Sequence, residues 1–106
     1  MRKFTCYAFA IAIAVLSTSV VASAEAADTF KAKCQMCHGA DGLAATPAGK
    51  AMKTPPFTDP AILKTSDAVL IASTKNGKGK MPAYNGKLTD AEISSLIAYI
   101  HTLQKK

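Results

Sequence analysis

The clearest pattern of apolar positions lies at the end of the chain. Ile93, Leu96, Ile97, Ile100 and Leu103 return at steps of three and four residues, so they form one stripe along a helix. Thr89-Asp90-Ala91-Glu92 stands just ahead of that stripe and has the form of a capping box. In it the Thr89 hydroxyl accepts from the Glu92 amide and the Glu92 carboxylate accepts from the Thr89 amide. Shorter helices are predicted upstream. Ser66 can cap a helix from Asp67 to about Lys75 that carries Val69, Leu70 and Ile71, with Asn76-Gly77 as its stop. Asp59-Pro60 is a cap followed by proline at the first helical position, which predicts a helix through Leu63 or Lys64. Asp28 can cap a first helix running to about Lys33, with Phe30 as its main apolar residue. Between these elements, His38-Gly39-Ala40-Asp41-Gly42 reads as a turn, and residues 43–58 as loop with room for one short helical turn. Gly77-Lys78-Gly79-Lys80-Met81-Pro82 reads as non-helical. Nothing after residue 24 alternates convincingly at period two, so little or no sheet is expected and the domain is all-α, with four or so short helices.

The amino-terminal apolar run has a different character. Arg2 and Lys3 precede a continuous apolar stretch, Tyr7 to Leu16, and Ala22-Ser23-Ala24 fits a small-x-small cleavage site. This is the layout of a secretory signal peptide over residues 1–24, leaving 25–106 as one domain. Ser17, Thr18, Ser19 and Ser23 leave the strongly apolar part short of the roughly 20 residues of a membrane span, so no span is expected after processing. Cys6 precedes the apolar run, is badly placed for a lipid anchor, and leaves with the leader. The exported chain then keeps two of the three cysteines. A domain this small has a marginal core of its own and needs an extra apolar centre.

Cys34-Gln35-Met36-Cys37-His38 supplies one. Two cysteines separated by two residues, with histidine directly after the second, form the attachment signature of c-type haem. Each thiol can form a thioether with the porphyrin, and His38 can give the iron an axial nitrogen. A redox dithiol is a rival reading, but it wants a βαβ context and leaves His38 without a role. Zinc is another, because Cys34, Cys37, His38 and His101 make four ligands on paper. However, His38 abuts Cys37, and His101 lies far off with none of the usual spacing.

Haem iron has a second axial position. Met36 lies inside the attachment loop, on the wrong side of the ring. Met52 follows His38 closely and would need a tight path around the haem edge. His101 suits the surface near a helix end, where its positive form complements the dipole. Met81 is the favoured candidate: it lies in a polar, glycine-rich segment with no amphipathic reason to hold a methionine.

With these residues in view, the chain resembles small class I c-type cytochromes, both the bacterial single-haem ones and the small soluble photosynthetic ones of algae and cyanobacteria. The resemblance covers essentially all of residues 25–106. It rests on Phe30 ahead of Cys34, on Cys34-x-x-Cys37-His38, on Lys80-Met81-Pro82-Ala83-Tyr84 and on a last helix bearing Tyr99. It implies the class I cytochrome c fold wrapped around one haem c, covalent through Cys34 and Cys37, with His38 and Met81 on the iron. It also implies that the first and last helices cross with Phe30 and Tyr99 packed at the crossing, and that a proline carbonyl, for which Pro47 is the candidate, orients the His38 imidazole.

Filling both iron positions leaves no open site for a substrate and favours ferrous iron, so a periplasmic one-electron carrier is expected and not an enzyme. A haem enzyme or gas sensor would need a displaceable distal ligand. The whole chain has 13 basic and 7 acidic residues. Arg2 and Lys3 leave with the leader, so the remaining basic excess is modest. Without aromatic and basic residues interleaved, nucleic acid is a poor partner. Lys75, Lys78, Lys80 and Lys87 flank Met81 and can form a positive rim that steers acidic redox partners to a monomeric carrier.

Overall fold

The computed structural model describes residues 19–105. The leader features at Arg2, Lys3, Cys6 and Tyr7 to Leu16 lie outside the described residues. Six helices are present among them: α1 (Ser19–Lys33), α2 (Gln35–His38), α3 (Pro47–Ala51), α4 (Pro60–Leu63), α5 (Asp67–Asn76) and α6 (Asp90–Gln104). No strand occurs among the described residues; extended pairing is limited to the isolated bridges Lys78 with Met81 and Asn85 with Leu88. The all-α expectation holds.

Caps set most of the boundaries. Thr89 Oγ1 accepts from Glu92 N at 3.1 Å and Glu92 Oε1 accepts from Thr89 N at 3.2 Å, which completes the capping box of α6. Asp59 Oδ1 accepts from Ala61 N at 2.9 Å, with Pro60 opening α4. Ser66 Oγ accepts from Val69 N at 3.4 Å, and α5 ends where Gly77 takes φ 80°. The first helix departs from expectation. Asp28 does not cap it; α1 runs from Ser19, and Asp28 is an exposed residue within it. Ala22, Ala24, Ala26 and Ala27 are strong helix formers, and they carry the helix through the position where a cap was expected. The boundary expected after Ala24 would therefore fall inside α1.

The apolar stripe of α6 makes the core. Ile93, Leu96, Ile97 and Leu103 are buried, and all of them but Ile97 join Phe30, Phe57 and Leu88 in one core cluster. The crossing is aromatic: the Phe30 and Tyr99 ring centroids are 5.3 Å apart and tilted by 56°, a favoured offset geometry. Phe57 adds a second ring 6.1 Å from Phe30. The α1–α6 crossing is thus built on the residues that the family resemblance implied.

Two surface pairs fasten α5 to its surroundings. Lys75 Nζ lies 3.0 Å from Asp90 Oδ1. His101 Nε2 lies 2.7 Å from Asp67 Oδ1, and its Nδ1 lies 2.8 Å from Gln104 Oε1. The hydrogen bond to Gln104, then that to Asp67, raises the His101 pKa above its usual 6.5, against smaller opposing effects of partial desolvation and of Lys105. A raised folded-state pKa gives stability that is fully present below the unfolded value and lost as pH rises through the folded one. The melting temperature of the holoprotein should therefore fall from pH 5.5 to pH 8.5 by about 1–2 °C more in the wild type than in Asp67→Asn, the scale of an exposed pair. Equal falls in the two proteins would remove His101–Asp67 as the cause.

Candidate haem site

The chain between α1 and α4 is shaped around the attachment motif. Cys34 N donates to Phe30 O at 2.8 Å, so the first cysteine continues from the end of α1. The single turn of α2 then carries Cys37 and His38, and Gly39, at φ 78°, reverses the chain. Thr46 fixes the next segment in place. Its hydroxyl donates to Met36 O at 2.6 Å and accepts from Gly49 N at 3.0 Å, so one side chain caps α3 and binds it to α2. Pro47 is the first residue of α3. This Thr-Pro pair has the same form as Asp59-Pro60, so the signal for α3 was present in the sequence.

Cys34, Cys37, His38 and Met81 line one cavity of about 460 Å³, with Phe30, Leu70 and Ile97 among its apolar wall. The volume lies in the range of about 300–1,000 Å³ common to cofactor pockets. The segment carrying Met81 follows α5, remote in sequence from the attachment motif. Met52 also lines the cavity, whereas His101 does not, and Met36 is 77 % exposed.

His38 is held by stacking rather than by a hydrogen bond. Its ring lies 4.6 Å from the Phe57 ring at an interplanar angle of 18°. Gly42 leaves the room that Phe57 occupies, since a Cβ there would run into the phenyl ring. Burial pushes the His38 pKa down, which keeps the imidazole neutral and able to ligate a metal. Its Nδ1 is buried and meets no partner among the described residues. Pro47, expected to hold this atom by its carbonyl, does not. Pro47 instead opens α3 as its first residue.

The rival chemistries lose ground on the same geometry. Burial pushes the Cys34 thiol up to about 11, with Lys33 opposing and Cys37 adding to the rise. A redox dithiol works through a lowered pKa. Among the described residues no group of three or more His, Cys, Asp or Glu side chains could hold a metal ion. An apolar cavity bearing two free thiols and a half-buried neutral imidazole, by contrast, fits a haem attached through both sulfurs.

The lysines divide into two sets. Lys78 and Lys80 are exposed and line the cavity mouth. Lys75 is paired to Asp90, and Lys87 Nζ sits 5.9 Å over the Tyr84 ring. Lys33 and Lys53, which sequence reasoning missed, join the mouth. Nothing local in their sequence marks them; the cavity takes part of its lining from the end of α1 and part from the chain after α3.

A helical domain that turns a Cys-x-x-Cys-His motif into such a cavity is a single-haem c-type cytochrome. A family model described as "Cytochrome C oxidase, cbb3-type, subunit III" matches residues 22–100. The chain is 36% identical over 83 residues to the Cbb3-type cytochrome c oxidase subunit CcoP of Cereibacter sphaeroides, covering 76% of this chain and 27% of that one. It is 37% identical over 71 residues to cytochrome c6 of Leptolyngbya boryana, covering 67% of this chain and 80% of the relative. Cytochrome c6 of a Picosynechococcus strain is 34% identical over 105 residues, covering 86% and 88%. The protein belongs to this c-type cytochrome family, which carries electrons on covalently bound haem c. It spans about a quarter of the length of that CcoP subunit.

Proposed function

We propose that the protein is an exported, periplasmic one-electron carrier, and not an enzyme, in which His38 and Met81 are the two axial ligands of the haem iron. The convergence of Cys34, Cys37, His38 and Met81 on one cavity carries this reading. With Nδ1 of His38 buried, Nε2 is the nitrogen left for iron. Met52 follows α3, which packs on the helix that bears His38. A ligand opposite His38 has to come from another segment, and the Met81 loop is one. His101 is already engaged at both ring nitrogens. A haem held there would supply the electron exchange; the chain's part would be to hold the imidazole neutral and to offer a thioether that favours ferrous iron. With both positions filled, there is no open site for a substrate.

Export is supported by the leader pattern of residues 1–24, and no helix among the described residues is long and apolar enough to cross a membrane. The carrier reading is tested with carbon monoxide. Wild-type ferrous holoprotein should bind it slowly and incompletely, and rapid stoichiometric binding would overturn the reading.

Lys33, Lys53, Lys78 and Lys80 around the cavity mouth fit an acidic redox partner, docked weakly and steered by charge. Reduction by such a partner should slow as salt rises. Lys78→Glu with Lys80→Glu should slow it about tenfold at low ionic strength and flatten the salt dependence, because steering changes on-rates by roughly 10–10³. A salt-independent rate in the wild type would remove steering.

A further inference from the structure

We propose that the Tyr84 hydroxyl is a positioning group for the Met81 loop, tying the loop to the haem-attachment segment and so resisting displacement of the thioether from iron. This rests on the Met81 ligation proposed above.

The loop from Gly77 to Asn85 is anchored chiefly at its own base. Tyr84 N donates to Thr74 O at 3.1 Å and Asn85 N to Lys75 O at 3.0 Å, which returns the chain to the end of α5. Within the loop, Lys78 and Met81 exchange backbone hydrogen bonds of 3.1 and 3.0 Å. Gly77, at φ 80°, lets the loop fold onto itself, since a Cβ there would come within 2.9 Å of the Met81 carbonyl oxygen. These contacts fix the loop's shape and its junction with α5, but not its distance from Cys34 and His38.

Tyr84 supplies that link. Its hydroxyl donates to the Lys33 carbonyl at 3.0 Å, across 51 residues of chain. The acceptor belongs to the last turn of α1, where a helix leaves carbonyls for outside partners, and it directly precedes Cys34. The donor lies three residues past Met81. Its ring lines the cavity beside the residues it connects, and Lys87 covers it. Burial raises the Tyr84 pKa, so the hydroxyl keeps its proton and remains a donor. Opening the loop far enough to take Met81 from the iron has to stretch or break this bond.

The test compares ferric wild-type holoprotein with Tyr84→Phe and Lys87→Ala, using imidazole as the competing ligand. Phenylalanine keeps the ring and removes only the hydroxyl. Tyr84→Phe should bind imidazole about fivefold more tightly, the scale of one lost hydrogen bond. Lys87→Ala, which leaves the hydroxyl in place, should bind as the wild type does. Thermal unfolding is measured on the same samples. A Tyr84→Phe protein with a lowered melting temperature but wild-type imidazole affinity would make Tyr84 merely structural and overturn the proposal. If wild-type ferric protein loses no weak red-edge absorbance on Met81→Ala substitution, the ligation reading fails and this proposal with it. If that absorbance is methionine-dependent while imidazole affinity ignores Tyr84→Phe, the hydroxyl proposal alone fails.

Discussion

Met81→Ala should lower the midpoint potential of the holoprotein by something on the order of 0.1–0.3 V, part of the roughly 0.8 V over which axial ligands set haem potentials. A thioether stabilises ferrous iron, so its loss favours the ferric form. The same variant should lose the weak absorbance at the red edge of the oxidised visible spectrum, and its ferrous form should take up carbon monoxide readily. Redox titration and absorption spectra read all three effects. Two of the other candidate ligands are badly placed to compensate. His101 is outside the cavity, bonded to Asp67 and Gln104, and Met36 points away into solvent. Met52 is the informative control, because it lines the same cavity. If Met52 were the ligand, Met52→Ala would produce the whole set of changes and Met81→Ala none.

The features that sequence reasoning found are those whose physics is local. A cap acts over three or four residues, so Ser66, Asp59 and Thr89 announced α5, α4 and α6 correctly. The stripe from Ile93 to Leu103 needed only a helical period. The attachment motif was legible because Cys34, Cys37 and His38 fall within five consecutive residues; Met81, singled out because its segment gave no packing reason to hold it, lines the same cavity. What was missed depends on neighbours remote in sequence. Thr46 is an ordinary threonine until Met36 O lies 2.6 Å from its hydroxyl. Phe57 is one more residue of the loop over 43–58 until His38 stacks on it. Four lysines near Met81 looked equivalent, yet Asp90 takes one and Tyr84 another. Asp28 shows the opposite error: a residue type that favours caps was overruled by the alanine-rich helix running through it. Pro47 was assigned to His38 through family likeness, and the cap formed by Thr46 gave it to α3 instead.

Gly49→Ala should destabilise the holoprotein by about 3 kcal/mol, the upper end of what overpacking costs. That corresponds to a fall in melting temperature on the order of 10–20 °C for a domain this small. The sign of the effect depends on how tightly α3 is held. Gly49 lies within α3, where alanine is the better helix former by about 1 kcal/mol. A loosely attached α3 would therefore be stabilised by the change. Here the new Cβ would run into the Cys37 carbonyl oxygen and lie 2.7 Å from the Ala44 carbonyl oxygen. Both are backbone atoms, so neither can swing aside as a side-chain end would. The methyl group also crowds the Thr46 hydroxyl that binds α3 to α2, at 3.0 Å. Relief requires α3 to lift away from α2, taking with it the support under Cys37 and His38, so the absorption spectrum should change along with the stability. Gly86→Ala is the contrasting case. Gly86 has φ 83° but nothing within 4 Å, so alanine there meets only the backbone cost of about 1–2 kcal/mol and leaves the spectrum alone. Thermal unfolding and absorption spectra of the two variants separate close packing at the attachment motif from simple loss of glycine. A raised melting temperature in Gly49→Ala would show that α3 is not docked on Cys37 in the working protein.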